Sequence, residues 1–155
     1  MILVVGIGAP DHGDDAAGML VAERLRALTS PRTVTVKELV GDQLGLLDLW
    51  AGARDVYVVD AVCLGGGPGT VYRFDGAQWF PAQFASRSTH AFSLGGVIAL
   101  ACAMGRLPPR LIGYGIERAR WEPGAPVSTQ VMDAVGTVTR QLCHELRGHE
   151  LRVGA

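Results

Sequence analysis

The sequence predicts an α/β fold, a single three-layer domain spanning residues 1–155, whose mostly parallel, twisted sheet of about five strands is covered by helices on both faces. Three observations carry this. Met1 to Val5 and Val56 to Val59 are continuous apolar runs rich in β-branched residues, the pattern of strands buried on both faces. Segments with helical spacing alternate with them, which implies parallel strands joined by crossover helices. No repeat and no linker long enough to separate two domains interrupts the 155 residues, a length suited to one core.

Met1 to Val5 is the first strand, ended by Gly6 and Gly8. Asp14 and Asp15 open a helix with apolar residues at Met19, Leu20, Ala22, Leu25 and Leu28, and aspartate is a favoured N-cap. One of the pair is expected to cap. Thr33 to Val36 is β-branched and strand-like, and Leu44 to Leu49 reads as a short helix. Val56 to Val59 is a buried strand ending on Asp60. Thr70 to Phe74 alternates weakly behind a glycine-rich turn and fits an antiparallel edge strand. Ser93 to Met104 is a helix with small residues on one side, Arg110 to Tyr114 a strand after Pro108-Pro109, and Val127 to about Arg147 a long final helix.

Composition excludes several functions. The chain is 48% hydrophobic and 19% charged with a formal net charge of -1, which is globular and lacks the basic surplus that nucleic acid or an anionic membrane would require. Arg140, Arg147 and Arg152 gather near the C-terminus but are interleaved with Glu145 and Glu150, the pattern of a solvated helix face. Three widely spaced cysteines, Cys63, Cys102 and Cys143, form neither a disulfide framework nor a zinc site. Each has apolar neighbours and is expected to be buried, in a reducing compartment. The N-terminus lacks the basic region of a signal peptide, and the longest apolar run, Ala91 to Met104, is too short to span a bilayer. The expected location is the cytoplasm.

In open α/β sheets a ligand binds beyond the carboxyl ends of the strands, where strand order reverses. The loops after the first and third strands are the natural pair to flank that point. The first is Gly6-Ile7-Gly8-Ala9-Pro10-Asp11-His12-Gly13-Asp14-Asp15. It starts like a dinucleotide fingerprint, but Asp11 stands where the third glycine belongs. Carboxylates crowding a helix start repel phosphate, although each is itself stabilised by the helix dipole. They suit a metal instead. Asp60 directly follows a buried strand, which is costly unless the carboxylate is hydrogen-bonded, metal-bound or open to a cleft; an Asx-turn is the plainer explanation. His90 stands at another loop-to-helix junction, where a lone histidine is more often a cap or a surface residue. Two carboxylates and an imidazole suit a divalent first-row metal. His12 reads as a solvated loop residue. His144 and His149, five apart, share no helix face well and read as surface. Cys63 has no histidine placed to activate it. No serine lies in a Gly-x-Ser-x-Gly elbow.

Taken together, the N-terminal strand running into Gly6-Ile7-Gly8, the acidic pair at the head of the first helix, the strand ending in Asp60-Ala61 and Thr89-His90 before an apolar helix resemble the hydrogenase maturation proteases. The resemblance covers most of the chain. It implies that Asp15, Asp60 and His90 form both the metal-binding and the catalytic set. It further implies an endopeptidase that removes a C-terminal extension from the large-subunit precursor of a nickel-iron hydrogenase. The nickel already loaded into that precursor would be the recognition element, with no tightly bound organic cofactor. Three places depart from the family pattern: Ala9 replaces the usual Asn, Ala16 replaces Gly after the acidic pair, and Val40-Gly41-Asp42-Gln43 replaces the Gly-Gly-Thr stretch linked to substrate recognition. Asp42 is carried as a candidate recognition residue. Two other functions remain open at this point. A nickel or zinc carrier would bind metal tightly through the same ligands without cleaving anything. A nucleotide-binding protein would need free amides at the first helix.

Overall fold

The computed structural model describes residues 1–76 and 94–153. Five strands form one sheet: β1 (Ile2–Gly8), β2 (Val34–Val40), β3 (Asp55–Val62), β4 (Val71–Asp75) and β5 (Arg110–Glu117). Their order is β2-β1-β3-β5-β4. The first four in that order are parallel, and β4 closes the edge antiparallel to β5. The helices are α1 (Ala17–Leu28), α2 (Leu46–Leu49), α3 (Leu94–Ala103) and α4 (Thr129–Val153). The expected α/β architecture and the antiparallel edge strand are both present.

Side-chain alternation divides the core. Val4, Tyr57, Val59, Ile112, Tyr114 and Ile116 face α1 and α4. Leu3, Val5, Ile7, Val56, Val58 and Leu111 face α2 and α3. Helix α4 buries Val131, Val135, Val138, Leu142 and Leu146, the three-and-four spacing of an amphipathic helix. The edge strands place Lys37, Glu38, Arg73 and Asp75 among their residues, charges that discourage pairing with another chain.

Helix α1 lies unusually close to the sheet. A Cβ on Gly18 would stand 2.2 Å from the Ile7 carbonyl oxygen and 2.4 Å from that of Val59. A Cβ on Gly6 would meet the Gly18 carbonyl oxygen at 2.2 Å. Only glycine permits this approach. It brings the start of α1 down onto both β1 and β3, across the point where strand order reverses.

Several expectations are corrected by packing. Neither aspartate caps α1: a 3₁₀ turn, Gly13–Ala16, precedes it, and no side chain makes a cap hydrogen bond at either start. Leu28, counted in the apolar stripe, is 60% exposed because the helix ends there. Cys63, just beyond β3, and Cys102 on α3 are exposed, and Cys143 is half-buried against the core. Glu145 is not on a solvated face. It accepts from Arg73 Nε at 2.9 Å and Nη2 at 3.0 Å, and from the Tyr114 hydroxyl. His149 is likewise no surface residue: it meets the Tyr57 ring edge-on at 6.4 Å and contacts Arg110. No helix among the described residues is long and apolar enough to cross a membrane.

Candidate active site

The site grows from the switch point between β1 and β3. The chain leaves β1 at Gly8, passes through Asp11 at φ 61°, and folds into the Gly13–Ala16 turn. Aspartate is among the few residues that tolerate this left-handed conformation. The Ala9 amide donates to the Asp15 carbonyl at 3.1 Å, and the Asp15 amide donates to the His12 carbonyl at 3.2 Å. The loop is thus closed on itself before the helix begins.

Asp14 and Asp15 then diverge. Asp14 is 0% exposed. Its Oδ2 accepts from the amides of Ala119 and Arg120 at 2.7 and 2.9 Å, its Oδ1 from the Ser128 amide at 2.7 Å, and its Oδ2 also from the Ser128 hydroxyl at 2.8 Å. The Asp14 amide donates in turn to the Arg120 carbonyl at 2.7 Å. Burial pushes the carboxyl up, but the amides and the hydroxyl outweigh it and hold Asp14 below the usual carboxylate range. This residue ties the loop after β5 to the loop after β1.

Asp15 is left free of that duty. Its Oδ1 accepts from Arg118 Nη1 at 2.9 Å, and the two side chains are 26% and 24% exposed. Arg118 follows β5 directly, and its amide donates to the Val62 carbonyl at 3.0 Å, anchoring it to the end of β3. Its guanidinium lies 4.4 Å over the ring of Trp121, which is 46% exposed. The Nε of Arg118 is buried without a hydrogen-bond partner among the described residues.

Asp60 lies inside β3 rather than beyond it, two residues before the strand ends. Alternation places it on the α2/α3 side. There the Gln43 amide reaches its Oδ2 at 3.5 Å, the outer limit of a hydrogen bond. Burial, and next the charge of Asp15, push the Asp60 carboxyl up to about 8, against the Ala61 amide, Arg118 and Gln43. A half-buried acid this thinly satisfied, beside a second acid at a switch point, is where a functional site is expected.

Of the residues singled out from sequence, Asp15 and Asp60 are therefore brought within electrostatic reach of each other. His90 lies outside the described residues. His12 is exposed, its Nδ1 2.9 Å from the Pro10 carbonyl. Asp42 is exposed and caps a 3₁₀ turn by accepting from the Leu44 amide at 2.9 Å. Among the described residues no group of three His, Cys, Asp or Glu side chains could hold a metal ion. Sequence reasoning missed Arg118 and Gln43. Arg118 is 103 positions from the acid it pairs with, so no local pattern could signal it. The extra charge directly after β5, at the carboxyl end of the sheet, was the one available hint.

Glu117 is a third omission. It is 3% exposed and accepts from the amides of Leu64 and Gly65 at 2.9 and 3.0 Å. It holds the loop after β3 as Asp14 holds the loop after β5.

Comparison with known proteins agrees with this fold. The fold matches the hydrogenase maturating endopeptidase HybD from Escherichia coli with a TM-score of 0.80 and 25% identity, over 96% of this chain and 93% of that one. It matches a solution structure of an endopeptidase from Escherichia coli with a TM-score of 0.80 and 26% identity, over the same shares. The maturation protease HycI from Thermococcus kodakarensis gives a TM-score of 0.77 at 23% identity, over 94% and 92%. Comparison with curated proteins gives no match. The family model for hydrogenase maturation proteases matches residues 19–145, a stretch that includes Asp60 and His90 and begins four positions after Asp15. The chain belongs to the hydrogenase maturation protease family, and it is a peptidase.

Proposed function

We propose that this protein removes the C-terminal extension of a nickel-iron hydrogenase large-subunit precursor after nickel insertion, and that it recognises the precursor through the nickel it carries. The observation that supports this most is the pairing of Asp15 with Asp60 at the switch point, where burial and the charge of Asp15 push the Asp60 carboxyl up and Gln43 reaches it only at 3.5 Å. Two acids in this state are a poor resting arrangement and a good receptor for a divalent cation. Asp15, Asp60 and His90 are assigned as the groups that engage the nickel of the precursor and carry the catalysis; His90 enters on the family resemblance. On engagement Asp60 releases its proton, because a ligand must be deprotonated to bind. Docking holds the scissile peptide beside the site, and a water activated by the metal or by a carboxylate attacks it. The metal arrives with the substrate, so the free protein needs no tight metal affinity. The proposed setting is the cytoplasm.

The test is to incubate the protein with nickel-loaded and nickel-free precursor from the same organism and follow the tail by mass. The expected result is cleavage of the nickel form alone, falling by about a thousandfold or more in Asp15→Asn and Asp60→Asn, the scale on which loss of a catalytic group is read. Equal cleavage of both forms, or full activity in Asp60→Asn, would overturn the reading.

A further inference from the structure

Arg118 has no part in the function as proposed above, yet it is a cation bonded directly to one of the two acids. Three observations define its state. Among the described residues its side chain makes one hydrogen bond, to Asp15, rather than the two-pronged fork that locks arginine onto a carboxylate. Its Nε is buried with no hydrogen-bond partner among them. The face of Trp121 and the charge of Asp60 also attract it, so leaving Asp15 would not strand the charge in apolar surroundings. The backbone beneath it is firmly fixed, by the Val62 carbonyl on one side and by Asp14 gripping Ala119 and Arg120 on the other. A rigid base therefore carries a loosely held cation, aimed at one of the two acids.

We infer that Arg118 is a specificity-determining counter-ion: it occupies Asp15 in the free enzyme, competes with divalent cations from solution, and yields only to a metal presented by the precursor. This rests on the reading of Asp15 and Asp60 as the docking site. Physically, a pair of bare carboxylates open to water binds free divalent ions without regard to source. A tethered guanidinium lowers that affinity, because any ion must first displace it. A precursor can offset the displacement with its remaining contacts, and a free ion has no such contacts. The pair is a quarter exposed and singly bonded, so the competition is about tenfold rather than many orders of magnitude.

The test is calorimetric titration of nickel(II) chloride into the full-length protein without precursor, at fixed pH and ionic strength. Arg118→Ala and Arg118→Gln are expected to bind nickel about tenfold more tightly than the parent, and Arg118→Lys, which keeps the charge, within about threefold of it. The gain in Arg118→Ala should vanish when Asp60→Asn is added. In parallel, free nickel should inhibit precursor processing by Arg118→Ala at about tenfold lower concentration than it inhibits the parent. Unchanged or weaker nickel binding in both folded Arg118→Ala and Arg118→Gln would overturn the counter-ion role and leave the Asp15–Asp60 reading standing. A gain that survives Asp60→Asn would place the ion elsewhere and overturn both.

Discussion

The two faces of the central sheet treat a half-buried acid in opposite ways. On the α1/α4 face, Glu145 accepts two hydrogen bonds from Arg73 and one from Tyr114. Burial pushes its carboxyl up, and these donors more than reverse the effect. On the α2/α3 face, Asp60 has the long contact from Gln43 and a like charge nearby, and its carboxyl sits at about 8. Both acids are desolvated, so the difference is one of partners. Glu145 and Asp14 are carboxylates used to hold elements together. Asp60 is a carboxylate kept waiting. The contrast teaches that burial alone does not mark a site; burial with the partners withheld does.

That contrast can be broken most severely at Asp14. Asp14→Ala should destabilise the protein by about 3 kcal/mol or more, because three amides lose their acceptor in a buried setting; urea unfolding would measure it. Gly18→Ala leaves every acid in place but should cost about 2–3 kcal/mol by forcing α1 off the sheet, and it should lower processing more than its stability loss explains. Glu145→Gln, which keeps the shape but weakens the bonds from Arg73 and Tyr114, should cost about 1–2 kcal/mol, read in the same unfolding experiment.

The smallest effect concerns pH and has opposite signs on the two faces. Asp14 and Glu145 have carboxyls held low, so their stabilisation is present above the unfolded carboxylate range and is lost as pH falls through their folded values. Glu145→Gln should therefore flatten the acid side of the stability curve. Asp60 is the reverse. Between about pH 4 and pH 8 its folded form holds a proton that the unfolded form has released, so its contribution declines as pH rises across that window. Asp60→Asn should gain on the parent protein steadily from pH 5 to pH 8 in thermal melts while losing activity. Parallel melting curves for the two across that range would show that Asp60 is not strained by its surroundings.

The site was half legible in the sequence. An aspartate within a run of Val56, Tyr57, Val58 and Val59 is conspicuous because a charge beside buried strand residues must be explained. The acidic pair before α1 was conspicuous for the same reason, but its division of labour was not. Adjacent residues point to different sides of a tight turn, and which of the two meets Ser128, 114 positions away, depends on where α4 begins in space. The cysteines and Glu145 were misjudged because helix and strand periodicity gives a face, whereas the neighbour standing on that face comes from elsewhere in the chain.

By itself, then, the sequence determined the α/β class, the alternation of strands and helices, the antiparallel edge at β4 and the place of Asp60 directly after the apolar run of β3, since these follow from local hydrophobic period and turn chemistry. Tertiary structure alone decided that Asp14 is a brace and Asp15 is not, that Glu145 is saturated and Asp60 is not, and that Arg118 stands against Asp15. Those outcomes are set by contacts between residues 17 to 114 positions apart. Those made by Asp14 and Asp15 form where Gly6 and Gly18 let α1 settle onto the sheet beside the strand ends.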